Sequence, residues 1–510
     1  MTPSSTDLRR EDAATRPPLP WWPAVFGALL TGAVAFWGLA TPQYWFDEAA
    51  SVSAVDRPFG SLIAMVQKVD AVHALYYVVM YPWAALFGTS ELAMRTPSAL
   101  ALVVMSVFLT RIGMAYARRY MPERTVFVGV MVAVLGAVLP GLSWTGQEAR
   151  GYAMGAMSLT IAWWFFERFR EHRHTPSLVG FALFMAAGVG FSLYVAMLLP
   201  LFFARSLRWG RRNTVKVLVA CLVAGSVCIP LVIVGAEQSG QVSWIDATTR
   251  EVLRRMALMV FFLSPRNRFG AYNGPVEQIA PWLGLFTILV VALGLIRSRA
   301  RWIMLWLLSL VLLPFVVILV AQLLGKQYFQ ERYLTFTAPV LVVALALGLA
   351  AIPWRPVGAL GLALFTLLSF PSFLGQNGEF AKKDGYKTAA VAAAQADTVI
   401  FMDDEARGIF VAYPPDHPVK DPMLAQNKED SATLWGQSHP GWWSWQLDET
   451  GKVSVVAFKP NPYYGAVLQH LDSIGCTITD ENLESRFRVT NLKCPDTLAQ
   501  PARTPVEPGT

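Results

Sequence analysis

From Trp21 to Ala40 the chain carries twenty residues without a single charged side chain. Wound as a helix, about twenty residues span the roughly 30 Å of hydrocarbon in a bilayer. That is too long for a cleaved leader, so the run is expected to stay as a first transmembrane helix. Further apolar runs cover roughly 93 to 116, 125 to 142, 151 to 166, 178 to 206, 214 to 236, 281 to 296, 302 to 323, 336 to 352 and 356 to 372. Arg95 and Arg111 lie near the ends of their run, and little other charge interrupts the set. Composition agrees: 54% of residues are hydrophobic and 15% charged, against about 25% charged in an ordinary soluble domain. This excludes a soluble enzyme, a disordered chain and a nucleic-acid binder.

Charge divides the chain in two. Residues 1 to 375 hold 30 Lys+Arg against 17 Asp+Glu, and residues 376 to 510 hold 12 against 18. A basic, hydrophobic part is followed by an acidic, polar one, as in a membrane domain joined to a small water-soluble domain.

Basic loops stay cytoplasmic. The clusters are Arg9, Arg10 and Arg16; Arg118, Arg119 and Arg124; Arg168, Arg170 and Arg173; Arg205, Arg208, Arg211, Arg212 and Lys216; and Arg297, Arg299 and Arg301. Keeping all five inside requires the 178 to 206 run to be two short helices turning outside near Phe191 to Tyr194. It also requires the 73 to 88 run to lie along the outer surface without crossing. The predicted fold is therefore mainly α, a polytopic membrane protein of about 11 transmembrane helices plus juxtamembrane helices. Residues 1 to 20 form a cytoplasmic tail, 21 to 375 the membrane domain, 376 to 495 a small extracytoplasmic α/β domain, and 496 to 510 a disordered end.

In the tail, 384 to 396 and 463 to 474 read as helices, and 397 to 402 and 453 to 458 as strands. Cys476 and Cys494 fall there and are candidates for a disulfide, whereas Cys221 and Cys228 lie in a span. Four cysteines make no disulfide framework, and no Cys/His spacing suggests a metal.

Polar chemistry is expected in the outer loops. Asp47 and Glu48, directly after the first span, are adjacent carboxylates beside an apolar surface. Desolvation and mutual repulsion raise the pKa of at least one such group and suit it to proton transfer, although a solvated loop pair has the same sequence. His73, preceded by Asp70, opens the interfacial helix as a functional or a capping residue. Glu91 and Arg95 stand four apart, the spacing of an ion pair on one helix face. Glu148, Arg150 and Tyr152 fall in a very short outer loop, and Lys326, Glu331, Arg332 and Tyr333 in another. Cations on the outer side oppose the positive-inside trend. Together with the carboxylates, they supply what a phosphate head group on a lipid requires. Thr248 to Leu263 is amphipathic and flanked by polar stretches at 238 to 244 and 267 to 274, as a substrate lid or an interfacial helix would be. Trp442, Trp443 and Trp445 suit either sugar stacking or the packing of a small core.

Phe46-Asp47-Glu48, His73-Ala-Leu-Tyr-Tyr, Phe87-Gly-Thr-Ser-Glu91 through Arg95-Thr-Pro-Ser98, Gln147-Glu-Ala-Arg150 with Tyr152, and Glu331-Arg332-Tyr333 together resemble the GT-C glycosyltransferases. The nearest groups are the protein O-mannosyltransferases and the lipid A aminoarabinose transferases. The resemblance implies transfer of a sugar from a polyprenyl-phosphate donor to a glycan, lipid or protein acceptor outside the cytoplasmic membrane, without cofactor or obligatory metal. It implies Asp47 as the base for the acceptor hydroxyl, with Glu48 assisting or orienting it. Arg150 and Arg332 would grip the phosphate, with Lys326 and Tyr152 in the same role. His73 stands where relatives place a basic residue before two prolines, here replaced by Ala74 and Leu75. One base and one displacement imply inversion at the anomeric carbon, with Glu91 and Glu148 as the remaining candidates for a second carboxylate. The bias toward Ala, Arg and Val suggests a GC-rich bacterial source, where mannosyl and arabinosyl transfers build the envelope. The rival readings are a transporter of lipid-linked sugars and a non-catalytic envelope assembly protein.

Overall fold

The structure is a computed structural model describing residues 18–238, 247–262, 275–297, 300–382, 384–440, 451–458, 461–483 and 486–495. Both polar stretches flanking the 248 to 263 segment, and Trp442, Trp443, Trp445 and the C-terminal end, lie outside these residues, apart from Gln238.

The molecule is mostly helical. Six described helices are long and apolar enough to cross a membrane: Glu91–Tyr120, Arg211–Glu237, Gln278–Arg297, Arg301–Leu323, Glu331–Ala350 and Arg355–Gln376. A seventh candidate is Pro122–Val138 with Pro140–Gly146, bent by 60°. The bend falls at Leu139, extended (ψ 117°) as the residue before a proline tends to be. Eleven crossings are thus more than length and apolarity alone mark out.

The difference arises where apolar runs are cut into short helices. The first run gives only Trp22–Phe36, because Trp37 turns extended and Gly38 takes φ +65°. A Cβ at Gly38 would lie 2.5 Å from the Asn377 side-chain oxygen, so both the backbone conformation and the close approach require glycine. The 178 to 206 run breaks at Ser192, between Thr175–Phe191 and a 3₁₀ turn, Leu193–Leu198, that leads into Leu199–Ser206. The 73 to 88 run forms Ala74–Phe87, 14 residues with Pro82 inside, about 21 Å long.

Burial sorts the long helices. Glu331–Ala350 is 94% buried and runs through the middle of the bundle, whereas Arg211–Glu237 and Arg355–Gln376 are each 22% buried. The outward residues of the latter pair include Leu222, Ile229, Leu360 and Leu367. Apolar side chains turned outward on helices of this length are what lipid contact selects.

The tail carries a four-stranded sheet. Its strands belong to the set β1 (Thr398–Phe401), β2 (Leu424–Gln426), β3 (Gln437–Ser438), β4 (Lys452–Phe458), β5 (Thr477–Asn482) and β6 (Phe487–Lys493). The sheet order is β1-β4-β6-β5, with β1 parallel to β4 and the other pairs antiparallel, and β2 pairs separately with β3. Because side chains alternate along a strand, the sheet has two committed faces. Val456, Phe487 and Val489 join the core shared with the membrane part, in which Phe487 meets Tyr386 and Phe458, and Phe458 meets Phe46. Val453, Val455 and Leu492 pack instead against Tyr464, Val467 and Leu471 of the helix Tyr464–Ser473. Cys476 and Cys494 are joined by a disulfide, whereas Cys221 and Cys228 are free.

Candidate functional site

Asp47 and Glu48 lie in the first turn of the helix Phe46–Val55, where the positive end of the helix dipole favours anions. Both are buried, at 8% and 0% exposure. Successive residues on a helix point about 100° apart, and these two carboxylates face different partners.

Asp47 meets two guanidinium groups. Its Oδ2 is 3.0 Å from Arg332 Nη2, and its Oδ1 is 3.7 Å from Arg150 Nη2. Arg332 opens the central buried span, and its Nε donates to the Tyr152 hydroxyl at 3.2 Å. The same guanidinium sits over the rings of Trp45 and Tyr333, at 5.1 and 5.5 Å. Arg150 is anchored through Nη1, which is 3.3 Å from Asp70 and donates to the Tyr77 hydroxyl at 2.6 Å. Tyr77 in turn donates to Asp70. The Nε of Arg150 is buried with no hydrogen-bond partner. The edge formed by Nε and Nη2 is the one that a phosphate engages bidentately.

Glu48 is fully occupied. It receives a two-toothed ion pair from Arg95 Nε and Nη2, both at 2.7 Å, and the Ala149 N–H at 2.9 Å. Arg95 also donates to the carbonyls of Leu39 and Pro42. Arg95 therefore does not pair with Glu91 four residues before it; Glu91 instead accepts from the Tyr413 hydroxyl at 2.9 Å. Burial alone would push the Glu48 carboxyl up, but Arg95 and Lys382 outweigh it and hold the group below its ordinary range. Glu48 is therefore not the member of the adjacent pair in which the expected rise occurs. Of the carboxyls nearby, burial does push up Glu148 and Asp384.

Glu148 is fully buried and paired with Lys382 at 3.2 Å. The Lys382 ammonium also donates to the Gln147 carbonyl and sits 3.9 Å above the Trp144 ring, and burial draws its pKa down.

His73 stands at the start of the helix Ala74–Phe87 without a side-chain capping bond and lies between the rings of Tyr77 and Tyr152, with Nε2 4.0 Å from Asp70. Burial and the neighbouring Arg150 push its pKa down to about 4. The unfolded chain then takes up a proton between about pH 6.5 and 4 that the folded chain refuses. Stability is expected to fall on acidification through that window, by at most about 1.4 kcal/mol per pH unit for one proton. A His73→Gln protein should lose this part of the slope in thermal unfolding measured from pH 7 to 5, and an unchanged slope would count against it.

Asp47, Glu48, His73, Arg95, Glu148, Arg150, Tyr152, Arg332 and Tyr333 thus form one connected cluster. Lys326 stands apart: it is exposed, whereas Asp47 pairs with Arg150 and Arg332. Sequence reasoning gave no role to Asp70, Tyr77, Lys382 or Asp384. The pair Lys382 and Asp384 carried a usable signal, being charge just past the last span, the same kind of signal that singled out Arg150. Among the described residues, no three His, Cys, Asp or Glu side chains assemble as a metal site requires.

No protein-family model matches the chain, and no curated protein does. Among solved structures the fold is similar to that of ArnT from Cupriavidus metallidurans. In the apo state the match has 13% identity and a TM-score of 0.58 over 92% of this chain and 97% of that one. In the form bound to undecaprenyl phosphate the figures are 15%, 0.51, 94% and 99%. An oligosaccharyltransferase from Archaeoglobus fulgidus matches with 12% identity and a TM-score of 0.44, covering 86% of this chain and 68% of that one.

Proposed function

We propose that this chain is a membrane glycosyltransferase that moves a sugar from a polyprenyl-phosphate donor to an acceptor hydroxyl on the extracytoplasmic face. The observation that carries the reading is the Asp47 carboxylate set between the Arg150 and Arg332 guanidinium groups, with Arg150 presenting a buried, unpartnered Nε. A base and two fixed cations within one side-chain length suit a displacement in which a proton leaves one reactant as negative charge grows on the other. A fold shared with a protein whose structure holds undecaprenyl phosphate supports the same donor class.

In the proposed reaction the acceptor oxygen attacks the anomeric carbon and Asp47 takes the hydroxyl proton. The bond from that carbon to the phosphate oxygen breaks, its electron pair leaves with the phosphate, and Arg150 and Arg332 stabilise the departing anion. A single displacement inverts the anomeric centre. Glu48, already saturated by Arg95, orients the helix that carries Asp47.

The outer location is supported by helix arithmetic. Arg95 and Arg118 lie on one helix, Glu91–Tyr120, about 35 Å apart along it, close to the thickness of a bilayer. Arg332 likewise begins a span whose far end delivers the Ala350 carbonyl to Arg124. The site and the basic clusters therefore occupy opposite ends of the same helices, and the positive-inside trend assigns the site to the outside. On this reading residues 376–495 are extracytoplasmic, where a disulfide between Cys476 and Cys494 persists.

Binding of undecaprenyl phosphate to the purified protein in detergent tests the donor site. Each charge-assisted contact contributes about 1.5–3 kcal/mol, so Arg150→Met and Arg332→Met should each weaken binding roughly 10- to 100-fold. A double variant that binds as tightly as the parent would defeat the proposal.

A further inference from the structure

The stretch that leaves the last span touches both loops that carry the site. Toward the Arg150 loop, Gln376 accepts from Ser143 at 2.7 Å and donates to the Pro140 carbonyl at 3.0 Å, and Asn377 accepts from Gln147 at 2.8 Å. Lys382 then reaches the Gln147 carbonyl at 3.0 Å and Glu148 at 3.2 Å, two residues before Arg150. Toward the Asp47 loop, the Glu379 carbonyl accepts the Gln43 N–H at 3.0 Å, and the Lys387 N–H donates to the Gln43 side chain at 3.1 Å. The Asp384 carboxylate accepts the Phe46 N–H at 3.0 Å, one residue before Asp47.

A tether between two domains would be expected to lie in solvent. Here Gln376 is 0%, Lys382 5% and Asp384 7% exposed. Burying a lysine and an aspartate is costly unless each is paired: Lys382 pairs with Glu148 of the loop that presents the phosphate-gripping arginine, and Asp384 lies 3.6 Å from Arg486 of the tail while accepting the Phe46 N–H of the loop that presents the base.

We infer that residues 376–382 and 384–388 form a positioning strap that sets the distance between Asp47 and Arg150, with Asp384 its positioning residue on the base side and Lys382 on the phosphate side. Asp384 is itself held by Arg486 of the tail, 3.6 Å away, so the strap ties the base-side loop to the tail. The inference rests on the glycosyltransferase reading for its kinetic test and gives the tail a part in the chemistry of the membrane domain. Donor binding needs the arginines alone, whereas the transition state needs base and arginines in register. Loosening the strap therefore lowers kcat and leaves donor KM nearly unchanged.

Transfer from an undecaprenyl-phosphate sugar by the full-length protein tests this. Asp384→Ala should lose roughly 10- to 100-fold in kcat with donor KM within about threefold. Asp384→Asn, whose amide oxygen can still accept the Phe46 N–H, should retain most of it. The paired replacement Lys382→Met with Glu148→Gln, which leaves no buried charge unmatched, should fall as Asp384→Ala does. Full kcat in both Asp384→Ala and the paired variant, or an Asn variant no better than Ala, would overturn the strap. A parent protein that transfers no sugar would refute the functional reading instead. The strap is then judged by the Asp47–Arg150 coupling in thermal unfolding, measured with Asp47→Asn and Arg150→Met singly and together. That coupling should shrink in the Asp384→Ala background, and an unchanged value would overturn the strap.

Discussion

Membranes carrying Asp47→Asn should accumulate the lipid-linked sugar that the parent protein consumes, with transfer reduced roughly 10²- to 10⁴-fold, the contribution of a positioned general base. Asparagine keeps the size and one hydrogen-bonding oxygen of the side chain, so the helix Phe46–Val55 and its packing are undisturbed. What it removes is a group able to take the acceptor proton. The two guanidinium groups on Asp47 retain other partners, Asp70 and Tyr77 for Arg150 and the Tyr152 hydroxyl for Arg332. Folding should therefore survive, and protein abundance and melting temperature in detergent provide the control. Separation of lipid-linked intermediates from wild-type and variant membranes gives the answer. A variant that turned over normally would remove Asp47 from the chemistry and favour a transporter or an assembly role.

Replacing Arg95 by Met should have the largest effect on stability. Arg95 and Glu48 are both fully buried, with two contacts of 2.7 Å between them, and removing the cation strands a carboxylate in the protein interior. Breaking such a pair from one side costs about 3–5 kcal/mol. Arg95 also joins the carbonyls of Leu39 and Pro42 to the helix Glu91–Tyr120, so the loop before Asp47 loosens as well. Glu48→Gln combined with Arg95→Met leaves no unmatched charge and should recover most of the loss. Thermal unfolding of the parent, both single variants and the double variant closes the cycle. If Arg95→Met melted like the parent, the buried pair would carry none of the stability assigned to it.

Much of this arrangement was legible because lipid imposes simple rules. A long apolar run must be helical, and charge that survives at its outer edge is there for a reason. Asp47, Arg150 and Arg332 were found by that route, and the structure brings them together. The choice of partners was not legible. Arg95 has Glu91 at ideal helical spacing yet turns to Glu48, 47 positions away, because the enclosed carboxylate gains more from a charge partner than a half-exposed one does. The short first helix could not be read either, since the left-handed residue just past its end has no room for a side chain beside Asn377, more than 300 residues later. In the tail, β1 and β4 are buried apolar runs and were read as strands. The edge strand β5 is almost wholly exposed and carries Asp480 and Glu481, so it shows none of the alternation that reveals a half-buried strand.

The way the tail seats on the helices bears on how chains of this fold can be engineered. A chimera that grafts the tail of one relative onto the helices of another, joined at residue 376, would leave Tyr413, Trp435 and Phe458 facing a surface not shaped to receive them, because they pack against Tyr44 and Phe46. Modular shuffling of tails is therefore expected to fail at assembly unless the residues at positions 44 and 46 travel with the graft.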